Sequence, residues 1–513
     1  MKTLISAFLL CDGYKTCHPQ MYPRMSKLLS NFTCRNDKYY RVECTQFYTG
    51  KQVFVGIQGA LKEIDETFDV FFKTSKRKML KELSTFLKEY KGGVSDKDLE
   101  FFSALHDVGY LPIEVRALEE GSLVKIGVPL FTVESTDENL SPIVNTLETA
   151  FSALIWKSIY TATLSKEFHD ISKYYLSLTD KDNTGFVWVQ NHDFSMRGLS
   201  GVEDAARTGF AYLSSSLGSD TLPAIHYANQ YYPSLTGEKV FPTAVSVNAT
   251  EHSISCSNIG YLMYKFSLNE SQAEKLFLDL LLDKFPSGIL SYVSDTYDYF
   301  HFISEILNSL KDKIIRRGNK EGLNKLVVRP DSGDPFKIIC GDKTAPDGSP
   351  EYKGSVEILW EIFGGSINSQ GYKVLHPAIG LIYGDSITRT LSERVLLELK
   401  EKGFASSNIV FGVGSYSINY TTRDVFGMAF KATNMQIEDK EISLQKRPKT
   451  DLGKKSAKGL PLVYKEGENF YLKEGATRQE FEGEGNELKV IYRDGKFIRQ
   501  TDLDEIRLRI SNS

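Results

Sequence analysis

The stretches Leu290-Ser291-Tyr292-Val293-Ser294-Asp295-Thr296-Tyr297-Asp298 and Leu326-Val327-Val328-Arg329-Pro330-Asp331-Ser332-Gly333 are built alike. Each opens with a short apolar run and then breaks into charged and small residues. An apolar run of this length, bounded by turn formers, reads as a buried strand. The punctuation recurs along the middle of the chain. Residues 245–247 run into Glu251 and His252, 379–383 into Gly384 and Asp385, and 409–411 into Gly412 and Gly414. Amphipathic helices fall between, at 271–285, around 301–315 and at 391–402. Strand, loop and helix in alternation predict a parallel α/β sheet or barrel. In such a barrel the C-terminal strand ends converge on one mouth. One polar strand end means little, because Asp and Gly are ordinary turn residues. Five in order point to a working pocket.

Outward from that core the texture changes. Towards the N-terminus, residues 53–57 read as a short strand, and Leu61, Ile64, Phe68, Phe71 and Phe72 recur at helical spacing. Residues 111–115 and 130–133 read as strands separated by the Glu120-Gly121 turn, and 146–156 as a buried helix. After about residue 430 strands return. Residues 489–493 and 496–499 flank Asp494-Gly495, a hairpin signal, and Thr501-Asp502-Leu503-Asp504 starts a terminal helix with Asp near its cap. The expectation is an α/β protein: an irregular (β/α) barrel-like domain plus a smaller α+β sandwich domain built from the N- and C-terminal segments. Residues 1–165 supply the N-terminal part of the sandwich with helices, 166–430 the barrel, and 431–513 the C-terminal part.

The chain has 513 residues, 41% apolar and 25% charged, enough for a large core and ordinary for a globular protein. Its 62 Lys and Arg against 66 Asp and Glu leave a net charge of −4, so no global basic field draws nucleic acid. No apolar run reaches the length of a membrane span. Residues 1–10 read as a buried first strand rather than a signal peptide, because Leu9 and Leu10 sit where a cleavage site wants small residues. The six cysteines form no CxxC pair and match no zinc template; buried thiols in a reducing cytoplasm are the expectation.

The chemistry gathers at the strand ends. Gly384-Asp385 and Gly412-Val413-Gly414 let backbone N–H groups approach an anion. Arg329 and Arg423 can clamp phosphate oxygens. Asp295, Asp331 and Asp385 can hold magnesium, ribose hydroxyls, or both. This outlines a sugar-phosphate site. Neither a GxxxxGK[ST] loop nor a GxGxxG fingerprint occurs, which disfavours Walker-type ATPases and Rossmann dehydrogenases. In His192-Asp193-Phe194-Ser195-Met196-Arg197-Gly198 an aromatic beside an Arg can stack a flat ring, or Phe194 can simply fill the core after a strand at 186–189. His252 alone reads as structural, but Glu251 and Asp295 are placed to orient it. The loop from Lys446-Arg447-Pro448-Lys449 to Lys458 carries six cations and reads either as a solvated loop or as a polyphosphate lid.

At these residues the chain resembles the nicotinamide phosphoribosyltransferases, type II phosphoribosyltransferases. The likeness runs nearly end to end, through Asp12-Gly13-Tyr14-Lys15, Leu111-Pro112-Ile113-Glu114, His192-Asp193-Phe194 with Arg197-Gly198, and Gly218-Ser219-Asp220-Thr221. It continues in Ala249-Thr250-Glu251-His252-Ser253, Ser294-Asp295-Thr296-Tyr297-Asp298, Arg329-Pro330-Asp331-Ser332-Gly333, Gly384-Asp385 and Thr422-Arg423-Asp424. The resemblance implies phosphoribosyl transfer from phosphoribosyl pyrophosphate to nicotinamide, in a homodimer with active sites at the interface. The pyridine would stack between Phe194 of one chain and Tyr14 of the other, near Arg197. Asp220 would accept the amide N–H and repel nicotinate's carboxylate. Arg329, Asp331, Gly384, Asp385, Gly414 and Ser415 would bind ribose and its 5′-phosphate. Arg35, Arg423, Lys431, Lys446 and Lys454 would serve phosphates or the interface. Ser246, Val247, Ala249 and Ser291 would line a tunnel beyond the ring. Mg2+ would bridge pyrophosphate and protein through ligands the sequence does not name. ATP, as co-substrate, would phosphorylate His252, with Asp295 beside it.

Three features depart from the family pattern. Ser415 and Tyr416 stand where glycines are common, and Ala429 where relatives carry a hydroxyl; phosphate affinity is what they touch. Two rivals remain: a nicotinate phosphoribosyltransferase, opposed by Asp220, and a non-catalytic pyridine-nucleotide-binding protein, opposed by His252, Asp295 and Arg329.

Overall fold

The computed structural model describes residues 6–318, 324–450 and 455–513. Its centre is a six-stranded, all-parallel sheet. Its strands run in the order Asn191–Asp193, Ile409–Val413, Ile379–Tyr383, Asn324–Arg329, Gly288–Val293 and Asn248–Ala249. Parallel bridges at Asp193–Ser219 and Gly218–Val245 carry the curl onward from its first edge. The strands are apolar runs because helices cover the outside while the inside faces a cavity. Helices His252–Phe266, Glu270–Lys284 and Arg389–Glu401 belong to that outer layer.

The second sheet has seven strands drawn from both ends of the chain: Lys440–Ser443, Ala429–Ile437, Lys27–Thr33, Pro129–Ser135, Ile113–Ala117, Lys489–Arg493 and Lys496–Phe497. Each neighbouring pair is antiparallel. Phe32 and Phe131 stack at 5.1 Å between centroids, and Phe430 stacks on Phe151 at 5.8 Å. Such pairs contribute about 0.5–1.5 kcal/mol beyond their buried area. Leu29, with Leu460 and Ala476 from the hairpin Leu460–Glu466/Asn469–Ala476 and Phe481 from the short helix Arg478–Glu482 after it, forms a separate apolar cluster. The sandwich expected from the two chain ends is therefore present.

Phe151 lies on the helix Ile143–Thr179, whose 37 residues span about 55 Å. Its later turns pack on the barrel, where Asn191 Nδ2 donates to Ser172 Oγ at 2.9 Å. Glu167, midway, pairs with Arg389 at 2.8 Å, both almost fully buried, and also accepts from Tyr40 Oη and the Thr45 amide. This helix belongs to both lobes and fixes one against the other.

Several local expectations shift. Residues 186–189 lie not in a strand but largely in the 3-10 helix Lys181–Trp188, and the strand starts at Asn191. Asp180, Asp182 and Asn183 supply turn-forming polar groups just before the apolar run. The strand expected at 245–247 reduces to the Val245 bridge and a two-residue strand at Asn248–Ala249. The strand expected at 53–57 is Lys51–Val53, and Ile57 opens a helix after Gly56, whose φ of 110° few other residues adopt. The helix around 301–315 is interrupted by a π turn at Phe302–Ile306. Near the N-terminus Ala7–Leu9 is a 3-10 turn rather than a strand, with Phe8 buried against Phe102. Among the described residues, no helix is long and apolar enough to cross a membrane.

Candidate active site

Side chains on one face of a strand recur every second residue. The barrel's inner face follows that rule: Ile289 and Ser291; Lys325, Val327 and Arg329; Gly380 and Ile382. These positions, with Phe194, Asp220, Ser246, Val247 and Ala249, line a cavity of about 520 Å³. Its walls are mainly apolar; Phe194, Asp220, Ser246 and Arg329 sit towards the C-terminal strand ends, and Lys325, Ser407 and Asn408 at the N-terminal ends, a form that suits a small flat ligand.

Phe194 follows the strand Asn191–Asp193, and its amide donates to Val413 O at 3.0 Å. The ring lies across the ends of two neighbouring strands. A β-carbon on Gly412 would collide with it, and one on Gly384 would come within 3.3 Å of it and 2.8 Å of Asp331 Oδ1. The two glycines thus make a bare floor under an aromatic ring. Asp220 shares the cavity and accepts a hydrogen bond from Ser246 Oγ. His192, also lining it, has its pKa lowered by burial, with Asp220 partly opposing.

His252 is the first residue of the helix His252–Phe266, where the positive end of the helix dipole favours anions. Its Nε2 lies 3.1 Å from Asp295 Oδ1; the imidazole is 46% exposed and the carboxylate 4%. Asp295 Oδ2 accepts from the Asp331 amide at 3.1 Å and from Ser332 Oγ at 2.6 Å. The carboxylate is therefore fixed from two sides while it holds the histidine. Glu251 does not share this task. It accepts from Ser253 Oγ, which, with Arg197 and His252 contributing less, lowers its pKa.

Arg329 Nη2 donates to Thr250 O at 2.7 Å, and its Nε is buried with no hydrogen-bond partner among the described residues. A buried donor left unmatched costs about 1–3 kcal/mol, a cost this strand end carries while the guanidinium is held beside the cavity. Tyr383, at the end of the next strand, has its pKa raised by burial and by Asp385, Asp295, Asp331 and Asp334, a measure of how acidic this rim is. Ser386, beside Asp385, has φ of 55°, a conformation that persists at ligand-handling turns despite its cost.

A second cavity, about 210 Å³, lies on the sandwich sheet. Asn31, Thr33, Arg35, Ala429, Lys431 and Lys455 are among its lining residues. Lys431 Nζ bonds to Glu148 at 2.6 Å, and Lys15 reaches the other oxygen of that carboxylate at 3.3 Å. Tyr14, 60% exposed, is next to Lys15, and Asp12 and Glu148 raise its pKa.

A family model described as the nicotinate phosphoribosyltransferase (NAPRTase) family matches residues 189–495. The nicotinamide phosphoribosyltransferase of Acinetobacter baylyi is 42% identical over 98% of this chain and 96% of its own length. The chain belongs to the nicotinate phosphoribosyltransferase family. The Mycoplasma pneumoniae nicotinamide phosphoribosyltransferase is 30% identical over 90% of this chain and 96% of its own. In fold the family member resembles the crystal structure of human nicotinic acid phosphoribosyltransferase, with a TM-score of 0.52, 14% identity, and coverage of 98% and 93% of the two chains.

Within this phosphoribosyltransferase the sequence-predicted residues fall into two groups. Phe194, Asp220, Ser246, Ser291 and Arg329 line the barrel cavity, and His252, Asp295, Asp331 and Gly384 adjoin its rim. Asp385 is exposed there, and Gly414 precedes the short helix Ser415–Asn419. Arg197 is exposed on the loop after Phe194. Ser415 turns its hydroxyl against Gly198, where any side chain would clash. It therefore packs beneath the Arg197-Gly198 turn. Arg35, Lys431 and Ala429 line the sheet cavity, and next to it the Ser456 amide donates to Lys446 O while the Lys446 amide donates to Ser456 Oγ. Arg423 does not line the barrel cavity; its turn ends at Gly427, whose carbonyl accepts from Arg35 Nε at 2.8 Å. Lys454 lies outside the described residues.

Sequence reasoning missed the apolar wall residues Ile289, Val327, Ile382 and Val410, the half-buried Lys325, and Thr250 as the acceptor for Arg329. The alternation along strands 288–293 and 324–329 carried the signal for the walls. Nothing in the sequence signalled that Gly412 meets Phe194. Among the described residues, no three His, Cys, Asp or Glu side chains converge on a metal position.

Proposed function

We propose that this chain transfers the phosphoribosyl group of 5-phosphoribosyl 1-pyrophosphate to the ring nitrogen of nicotinamide, forming nicotinamide mononucleotide and pyrophosphate in NAD salvage. The observation that carries this reading is the Phe194 ring on its glycine floor in the same cavity as Asp220, Ser246 and Arg329. The pyridine nitrogen's lone pair forms the bond to C1 of the ribose, and the C1–O bond to pyrophosphate breaks with its electrons. The neutral base becomes a pyridinium and no proton moves. The protein therefore needs no general base at that nitrogen; it must align the ring and neutralise charge as it grows on pyrophosphate. Phe194 holds the ring. Asp220, already paired with Ser246, accepts from the carboxamide NH2 and disfavours a carboxylate. Arg329 meets phosphate oxygens.

Asp295 is fully engaged and no acidic triad converges among the described residues, so the rim offers one or two carboxylates, Asp331 and Asp385. That donor set fits Mg2+, which takes most of its other ligands from phosphates and water. Bound there, it would supply charge neutralisation for the leaving pyrophosphate. ATP is the co-substrate: the imidazole of His252 takes its γ-phosphoryl group as ADP leaves. Asp295 keeps a proton on Nε2, so Nδ1 is the basic nitrogen.

The active unit is a homodimer. Tyr14, Arg35 and Lys431 sit away from the barrel cavity in their own chain, and the helix from His252 turns Ile254, Tyr261, Tyr264 and Phe266 to solvent. A partner copy brings the two half-sites together. Six free thiols suit a reducing cytoplasm, where we place the enzyme.

The test is turnover with labelled nicotinamide or nicotinate, phosphoribosyl pyrophosphate, Mg2+ and ATP. Nicotinamide is expected to exceed nicotinate in kcat/KM by roughly 100-fold or more. Preference for nicotinate overturns the substrate, and absence of turnover overturns the activity.

A further inference from the structure

The C-terminal helix Leu503–Ser511 contributes no residue to the barrel cavity. It does hold the segment that leads there. Between the helix ending at Tyr231 and the strand at Asn248 the chain has no helix or strand, only the Val245 bridge. Its polar backbone is matched largely from the terminal helix. Leu235 N donates to Asp502 Oδ2 at 3.0 Å, and Val240 N to Asp504 Oδ2 at 2.7 Å. Arg507 does the most. Its Nη1 donates to Pro242 O at 3.0 Å, its Nη2 to Thr243 O at 2.8 Å and its Nε to Leu213 O at 2.9 Å. The side chain is 0% exposed.

Those three carbonyls belong to two separate arms. One arm leaves the helix Val202–Tyr212 at Leu213 and runs to Asp220. The other passes Thr243 and arrives at Ser246. Beyond the guanidinium the arms zip together: Val245 N donates to Leu217 O at 2.7 Å and Ser219 N to Val245 O at 3.2 Å. Ser246 Oγ then donates to Asp220. A guanidinium is a rigid planar fork, so three fixed donors dictate the spacing of three acceptors. Its charge is poorly matched here, since all three acceptors are neutral and Asp504 stands 3.7 Å off. Burial accordingly pulls its pKa down to about 10. Packing alone would not require a buried cation here whose ion pair with Asp504 is as long as 3.7 Å.

We propose that Arg507 is a positioning residue for base recognition: its guanidinium sets the separation of the two arms that bring Asp220 and Ser246 together. This rests on the reading of Asp220 as the acceptor of the carboxamide NH2.

The test compares the full-length R507K and D504N variants with wild type and with D220S. R507K keeps the charge and loses the fork; D504N weakens the support more gently and serves if R507K does not fold. Expected in R507K are a KM for nicotinamide raised about tenfold, a KM for phosphoribosyl pyrophosphate within twofold of wild type, and an eroded preference for nicotinamide over nicotinate. D504N shifts the same constants in the same direction, less far. Amide hydrogen exchange quickens in residues 213–220 and 240–247 and not in the barrel strands. A lowered Tm with unchanged kinetic constants, or unchanged exchange in both arms, overturns the inference. An unshifted KM in R507K while D220S loses its discrimination overturns it too. If D220S also keeps its discrimination, the base reading fails and the inference with it.

Discussion

The imidazole of His252 is half exposed while its partner Asp295 is buried and held by Asp331 and Ser332. That asymmetry suits a group that receives a phosphoryl from solvent and is steered from within. His252→Ala is expected to abolish stimulation by ATP and to leave the ATP-independent rate within roughly a factor of three of wild type, read from rates with and without ATP. Persisting stimulation assigns the phosphoryl acceptor elsewhere. Glu274 also feels Asp295. It is 3% exposed, Oε1 has no hydrogen-bond partner among the described residues, and burial, then Asp295 and Asp298, push its pKa from 4.5 up to about 7. Between those values the unfolded chain holds fewer protons than the native one, so this group makes stability fall as pH rises from about 4.5 to 7, by at most about 3 kcal/mol, and level off above. Glu274→Gln removes that loss. Its Tm is expected to match wild type at pH 5 and to exceed it by roughly 2 °C or more at pH 8; a gap that does not widen with pH counts against a buried, proton-sharing Glu274.

At the level of elements, the barrel works because its strands end in residues of different size on one inner face. Gly384 and Gly412 leave the room that Phe194 fills, and a methyl at Gly412 would also come within 2.8 Å of Gly384 Cα. Gly412→Ala is therefore expected to tilt the ring off its floor. Overpacking of this kind costs about 1–3 kcal/mol, so the KM for nicotinamide should rise roughly 5- to 150-fold while the KM for phosphoribosyl pyrophosphate changes little. Equal effects on both would mean the strand end itself had moved. The strands of this face were legible because a buried parallel strand is an uninterrupted apolar run; 379–383 was read to the residue. Where a run was short and flanked by turn formers, as at 186–189 and 245–247, the pattern could not separate strand from turn. The predicted polar rim residues were legible as strand-end punctuation. The Gly412–Phe194 contact and the grip of Arg507 were not, because each joins residues distant in sequence, and no local pattern records which distant group a glycine makes room for. Ser415 is a further case: its departure from the family pattern marked it as a residue that touches phosphate affinity, and no local pattern recorded that its side chain packs on Gly198.

On the scale of the whole molecule, one chain holds its barrel cavity and its basic sheet cavity apart. Phe194, Asp220 and Arg329 line the barrel cavity; Arg35 and Lys431 line a separate cavity on the sandwich sheet, and Tyr14 is exposed beside Lys15. A homodimer that pairs the barrel of one copy with the sandwich of the other makes a definite arithmetic prediction. Phe194→Ala and Tyr14→Ala homodimers each lack one face of the ring clamp at both sites and should lose most nicotinamide turnover. When the two variants are dissociated, mixed in equal amounts and reassociated, about half of the dimers are mixed. Each mixed dimer has one site with both lesions and one with none, because the intact Phe194 and the intact Tyr14 come from different chains. Recovered activity should approach about a quarter of wild type, with differently tagged chains confirming exchange by native mass spectrometry. If exchange is complete and activity stays at the level of the separate variants, both residues act within one chain, and the interface site is wrong even if the chemistry is right.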